Sequence, residues 1–351
     1  MKKTIAIFSV MLVLPLIHWA QRTSVKGFGH LELVWENEGE QLDAYMAIGE
    51  HALFVNSQLN ERISFLGEAV VKPSGSGFAA SLERAWLKYS FGKGFNIILG
   101  KMHTPVNYWN DVYNHARVFF PTIDRPSAFG SYVPIHTLGM RFQGQNIGKM
   151  KFGYDLVFGN GMESTDTYAS GVSPSLTAAV HCKPKDGIRI GAAYYFEHLS
   201  DATIHGSHAG HSTSPGMMPG MVMYDGALDF HMVSASAAHF TEKLEILLES
   251  SYNLTQTDTL GDAHNFSTFL YVGKPVNEVH VPFVVFDFLK IDDKDLHTYP
   301  FNKLKVAIGY RYEFTPVCNI KITAEYYTGL SNFTNPATTK YELKTQFSYG
   351  F

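Results

Sequence analysis

The last eleven residues, YELKTQFSYGF, sort by parity. Tyr341, Leu343, Thr345, Phe347, Tyr349 and Phe351 fall on one parity, and Glu342, Lys344, Gln346, Ser348 and Gly350 on the other. In an extended strand alternate side chains point to opposite faces, so one face is aromatic and greasy and the other polar and charged. The pattern recurs along the chain. In 318–327, Cys318, Ile320, Ile322, Ala324 and Tyr326 oppose Asn319, Lys321, Thr323 and Glu325. In 305–314, Val306, Ile308, Tyr310, Tyr312 and Phe314 oppose Lys305, Arg311 and Glu313. The segments 243–254, 187–198, 151–158 and 26–36 alternate in the same way. Charges sit at the centres of these segments, always on one parity. Recurrent alternating segments of about 10 residues with aromatic flanks match an antiparallel transmembrane β-barrel, which turns its apolar face to lipid and its polar face to a wet lumen. Closing the sheet also leaves no unpaired backbone edge in hydrocarbon.

The alternation predicts sixteen strands, at 24–36, 48–59, 61–71, 80–91, 95–102, 137–145, 149–159, 175–183, 187–198, 226–240, 243–254, 265–274, 278–288, 303–314, 318–328 and 341–351. The region 37–60 carries the weakest signal. Short connections (92–94, 146–148, 183–185, 241–242, 274–277 and 315–317) alternate with long ones (103–136, 160–174, 199–225, 255–264, 289–302 and 329–340). Both chain ends then fall on the short-turn side. An even strand count with short periplasmic turns and longer external loops is what a bacterial barrel requires.

Composition narrows the function classes. The net charge of -4 carries no basic excess for nucleic acid. Lys2 and Lys3, the apolar run Thr4 to Ile17 and Ala20 read as a secretory signal peptide over 1–20, which leaves 21–351 as the barrel. No later run of about 18 apolar residues exists to make a helical span. The 2 cysteines, Cys182 and Cys318, lie far apart and read as unpaired thiols. No Gly-x-Ser-x-Gly elbow and no His-Glu-x-x-His pair occurs, so the chain is not read as an enzyme.

The terminal aromatic strand ending in Phe351, the alternation throughout and the stretch ASLERAWLKYSFGKGFNIILGKMHTP (80–105) together resemble the bacterial porins, with the phosphate-selective porin-like group a neighbouring possibility. The resemblance implies a barrel in the outer membrane of a Gram-negative bacterium, in contact with its lipid. It implies passive diffusion of small hydrophilic solutes or ions, a homotrimer, and recognition of the strand ending in Phe351 by the barrel assembly machinery. It also implies that the third external loop, 103–136, folds inward and narrows the barrel. That loop supplies Asp111, His115, Arg117, Asp124 and Arg125 as candidates for a charged constriction. The lumen parity supplies Arg84, Lys88, Arg141, Arg189, Glu249, Arg311, Glu313 and Glu325. Lumen-parity acids and bases nearly balance, so charge alone assigns neither anion nor cation preference.

A second feature stands apart. Residues 205–223 read HGSHAGHSTSPGMMPGMVM. His205, His208 and His211, with Met217, Met218 and Met221, are ligand types suited to Cu, Zn or Ni. Pro215, Pro219 and neighbouring glycines oppose regular structure, so the stretch is placed in the fifth external loop, 199–225. The alternative function is therefore a barrel that binds or transports a transition metal through this loop.

Overall fold

A computed structural model describes residues 22–38, 41–75, 77–113, 117–162, 174–199, 226–295, 298, 302–329 and 339–351. The signal-peptide reading of 1–20, His115 and the His/Met segment lie outside them.

Sixteen antiparallel strands close into one barrel. The first half comprises β1 (Arg22–Glu38), β2 (Gln41–Gln58), β3 (Ile63–Ser74), β4 (Gly77–Gly92), β5 (Phe95–His103), β6 (His136–Ile147), β7 (Phe152–Gly159) and β8 (Ser175–Cys182). The second comprises β9 (Ile188–Leu199), β10 (Leu228–Phe240), β11 (Glu245–Thr257), β12 (Gly261–Gly273), β13 (His280–Lys290), β14 (Lys303–Thr315), β15 (Cys318–Gly329) and β16 (Thr339–Gly350). Each strand pairs with its sequence neighbours, and β1 pairs with β16 from Phe28↔Gly350 to Glu38↔Lys340. Gly27 and Phe351 exchange both backbone hydrogen bonds at 2.9 Å, so the last residue completes the seam. No edge remains to pair with another chain.

The parity rule acts physically along these strands. On β16, Tyr341 and Leu343 face outward and are exposed, while Gln346 and Ser348 face the lumen and are fully buried. On β14, Val306 and Ile308 are exposed, whereas Lys305 and Arg311 point inward. The outer surface is thus a continuous belt of exposed Leu, Ile, Val, Phe and Tyr.

Two expectations are corrected. β2 starts at Gln41 rather than 48, and β11 and β12 pair out to Thr257↔Gly261, which shrinks the expected long connection 255–264 to a three-residue turn, 258–260. β1 and β2 pair out to Glu38↔Gln41, and β3 and β4 to Ser74↔Gly77, so long connections are confined to part of the end opposite the chain termini. Long flanking strands absorb residues whose polar composition reads as loop.

Five register shifts occur among the described strand pairs, and two of them, away from the strand ends, break the parity that the sequence pattern assumes. Gly29 pairs with His51 but Leu31 pairs with Ile48, so Gly49 and Glu50 together oppose His30. Glu68 pairs with Arg84 but Ala69 pairs with Leu82, leaving Glu83 as the extra residue. A bulge re-aims side chains locally. Here both bulges place a carboxylate, Glu50 or Glu83, on the inner side.

A second departure lies on β10 to β13. Phe230, Met232, Leu247, Phe269, Phe283 and Val285 are buried on the lumen side, although the outward positions of these strands are apolar too. On β14, Gly309 occupies an inward position because the Phe283 ring fills its space: a Cβ there would lie 2.2 Å from the ring. This inner face is apolar because a loop packs on it.

Candidate functional site: a loop packed inside the barrel

The β5–β6 loop, 104–135, is held at its neck by Thr104 N–H donating to the Ile135 carbonyl at 3.0 Å. Asn110 Nδ2 donates to the carbonyls of Thr104 (2.8 Å) and Ile135 (3.0 Å), which ties the loop's first turn to both of its ends. Beyond the neck the loop is aromatic. Trp109 is fully buried, with its ring 4.8 Å from Phe120 and 5.5 Å from Phe269 of β12. Val106, Phe129, Tyr132, Val133 and Ile135 bury against the same wall. Each such side chain contributes about 1.5–3 kcal/mol by leaving water.

Polar bonds fix the register of loop on wall. Trp109 N–H donates to Glu249 on β11 at 2.8 Å. Ser127 donates through N–H (2.9 Å) and Oγ (2.7 Å) to Asp287 on β13. Tyr132 Oη meets Ser251 Oγ at 2.8 Å and Ser267 Oγ at 2.9 Å. From β15, Asn319 Nδ2 donates to the Val118 carbonyl and Lys321 Nζ to the Arg117 carbonyl, both at 2.6 Å. Arg311 on β14 donates to the Pro121 carbonyl at 3.3 Å. Wall side chains thus satisfy loop backbone groups that would otherwise be buried without partners.

Charges complete the attachment at three points. Asp124 accepts from Lys344 (2.8 Å) and Lys305 (3.3 Å) and from the Tyr327 hydroxyl (3.2 Å). Burial opposes the charged form of Asp124, but the two lysines overcome it and hold the carboxyl well below its ordinary range. Asp111 meets Arg141 on β6 at 3.5 Å and also accepts from Arg189 on β9. There too burial is outweighed by the guanidiniums, and the carboxyl is lowered. Arg117 and Arg125 reach the bulge residue Glu50 at 3.7 Å and 3.2 Å, and both guanidiniums stand over the Phe120 ring. Burial brings Arg125 down to about 10, which still leaves it charged at neutral pH.

Two aqueous spaces flank the loop. One of about 570 Å³ opens toward the chain-terminus end and is lined by Arg84, Lys88, Asp111, Arg141, Asp155 and Arg189 among others. Another of about 730 Å³ lies on the opposite side, lined by Arg117, Asp124, Arg125, Lys303, Tyr327 and Lys344. The structure therefore brings Asp111, Arg84, Lys88, Arg141 and Arg189 to one space, and Arg117, Asp124 and Arg125 to the other. Glu325 sits beside Lys344 at 3.4 Å. Arg311 and Glu313 pair at 2.5 Å over a third space of about 590 Å³. Glu249 is sealed under the loop at 2% exposure and does not face water.

Sequence reasoning missed Glu50, Glu83, Asp287 and Tyr327. Parity alone carried no signal for the two bulge residues. Asp287 and Tyr327 lie on the inner parity of their strands, but Asp287 is the lone acid in an almost continuous apolar run. The His/Met ligand candidates fall in 200–225, outside the described residues, and among the described residues no group of three or more His, Cys, Asp or Glu is arranged to hold a metal.

No protein-family model matches the chain, and no curated protein matches it either. Solved structures do. The anion-selective porin from Comamonas acidovorans aligns with a TM-score of 0.65 at 10% identity, over 94% of this chain and 100% of that one. The outer membrane channel DcaP of Acinetobacter baumannii aligns with a TM-score of 0.65 at 13% identity, over 95% and 98%. In-vitro folded OmpT, an outer membrane protein of Vibrio cholerae in a trimer form, aligns with a TM-score of 0.62 at 10% identity, over 94% and 100%. At these identities the likeness is one of architecture: this chain is a sixteen-strand, porin-like β-barrel.

Proposed function

We propose that the protein is an outer-membrane porin that lets small hydrophilic solutes or ions diffuse through a lumen narrowed by the 104–135 loop. The carrying observation is the division of the barrel into an apolar outer belt and a charged interior with aqueous space on both sides of one inserted loop. A belt of exposed Leu, Ile, Val and Phe would be a liability in water and is the required surface in lipid. The charged groups have a matching rationale: ionisable side chains at membrane depth are tolerated where they line a wet cavity or pair with one another. Interior carboxylates, Glu249, Asp287 and Asp124, serve to hold the loop to the wall. The OmpT alignment supports a homotrimer as the assembled state.

Swelling of liposomes carrying the refolded protein tests the reading. Isosmotic neutral sugars of increasing size should enter at rates that fall steeply with size. No swelling even with the smallest sugar would overturn it.

A further inference from the structure

The near balance of lumen charge in the sequence conceals an asymmetry in where the two signs lie. Several inward carboxylates have no water to face. Glu249 accepts the Trp109 N–H, and Glu197 accepts the Met162 N–H (2.9 Å) and the Tyr195 hydroxyl (2.5 Å). Asp287 accepts from Ser127. These three are 0–2% exposed, covered by loop backbone that they hold in place. In the space on the terminus side, every lining acid is engaged by a cation. Asp155 is held by Arg141 at 2.6 Å, Asp111 by Arg189, and Asp186 by Lys151 at 2.8 Å.

The cations are more numerous. The same lining holds seven, counting Arg84, Lys88, Arg141, Lys151, Lys183, Lys185 and Arg189, against those three acids. Arg84 is paired with Glu68. Among the described residues, no carboxylate lies within ion-pair distance of Lys88, Lys183 or Lys185. Lys88 stands 5.9 Å over the Trp86 ring, and Lys183 and Lys185 sit on the exposed turn between β8 and β9. Across the loop, in the second space, Lys303 likewise has a ring for a neighbour, Tyr327 at 4.2 Å, and no described carboxylate in ion-pair range. Lysines without a carboxylate partner therefore face water on both sides of the loop, while Glu197, Glu249 and Asp287 are sealed from it.

We propose that the lumen is an anion path, with Lys303 on one side of the loop and Lys88, Lys183 and Lys185 on the other as successive resting points for small inorganic and organic anions. The inference rests on the porin reading and names the solute class for it. A charged wall in a low-dielectric channel concentrates counter-ions, and a series of weak sites conducts where one strong site would trap. Arg141 and Arg189 are balanced by Asp155 and Asp111, so the net positive charge of that space comes from its unpaired lysines. One neighbouring space has the opposite sign, with Arg311 facing Glu245, Glu278 and Glu313. Phe240 lines both spaces and stands between them.

The test is the zero-current potential of the refolded full-length protein in a planar bilayer across a KCl gradient. Chloride should permeate several-fold better than potassium. Lys88→Glu and Lys303→Glu should each lower that ratio, and the Lys88→Glu/Lys183→Glu/Lys185→Glu variant should lower it most, with conductance retained. Potassium succinate in place of KCl should still carry current if organic anions share the path. Cation preference in the wild type, with current present, overturns the anion path and leaves the porin reading standing. An unchanged ratio in the lysine variants overturns the assignment to these residues. A protein that inserts and never conducts overturns both.

Discussion

Replacing Asp124 with asparagine removes the carboxylate that ties the loop tip to β14 and β16. The carboxylate receives Lys344 at 2.8 Å, Lys305 at 3.3 Å and Tyr327 at 3.2 Å. Breaking a buried pair by removing one partner costs roughly 3–5 kcal/mol. Two features place this site at the lower end. The Asp124 side chain is 29% exposed, and both lysines keep other carboxylates: Glu342 at 2.6 Å for Lys344, and Glu325 and Asp287 at 4.0 Å for Lys305. A loss of about 3 kcal/mol is then expected for this attachment, which corresponds to about a hundredfold rise in the population with the 117–130 segment undocked. The strand ladders are untouched, so the barrel should still fold. Single-channel recordings read the change directly: transient excursions above the main open level should become about a hundredfold more frequent than in the wild type. Excursion statistics identical to the wild type, in a variant that folds and conducts, would refute the idea that this contact holds the loop.

Other outcomes follow from the same structure. Asp111 and Asp124 both have depressed carboxyls. A carboxyl whose folded pKa is depressed stabilises the fold above its unfolded value, about 3.9, and loses that contribution as pH falls through the folded value. Loop release through these two contacts should therefore come only below about pH 4; an acid limb of loop excursions that is the same in Asp124→Asn as in the wild type would contradict the assignment. Trp109→Ala, which empties the centre of the loop's aromatic cluster, should cost about 3–5 kcal/mol and raise protease sensitivity within 104–135 without unfolding the barrel. Ile308→Lys, midway along the outer face of β14, should cost about 2–4 kcal/mol on insertion into bilayers and lower folding yield in vesicles, as lipid contact demands. Deleting Phe351 removes both hydrogen bonds to Gly27 and should lower the yield of assembled barrel in cells.

The strand count, the closure and the outward face were legible because period-2 alternation is a direct consequence of lipid outside and polar groups inside. Lys305, Arg311, Lys321 and Glu325 all sit on the inner parity for that reason. Legibility failed where a different neighbour replaced water. On β13, Phe283 and Val285 face inward because Trp109, Phe120 and Phe129 of the loop cover that wall, so both faces of the strand are apolar and the parity signal vanishes. Glu50 and Glu83 were hidden for another reason: each sits at a bulge, where one extra residue shifts the phase and no local pattern marks it. Pairing was the third gap. Sequence parity shows Glu197, Glu249 and Lys88 as equivalent lumen charges, whereas the fold buries the first two under loop backbone and leaves the third facing open space.

Acting as a porin requires that the closed barrel conduct. Refolded protein added to a planar bilayer in KCl should produce discrete upward current steps, each one channel insertion, with a steady open level set by the space beside the docked loop. Insertion without current, verified by protection of the barrel from protease in the same membranes, would contradict it.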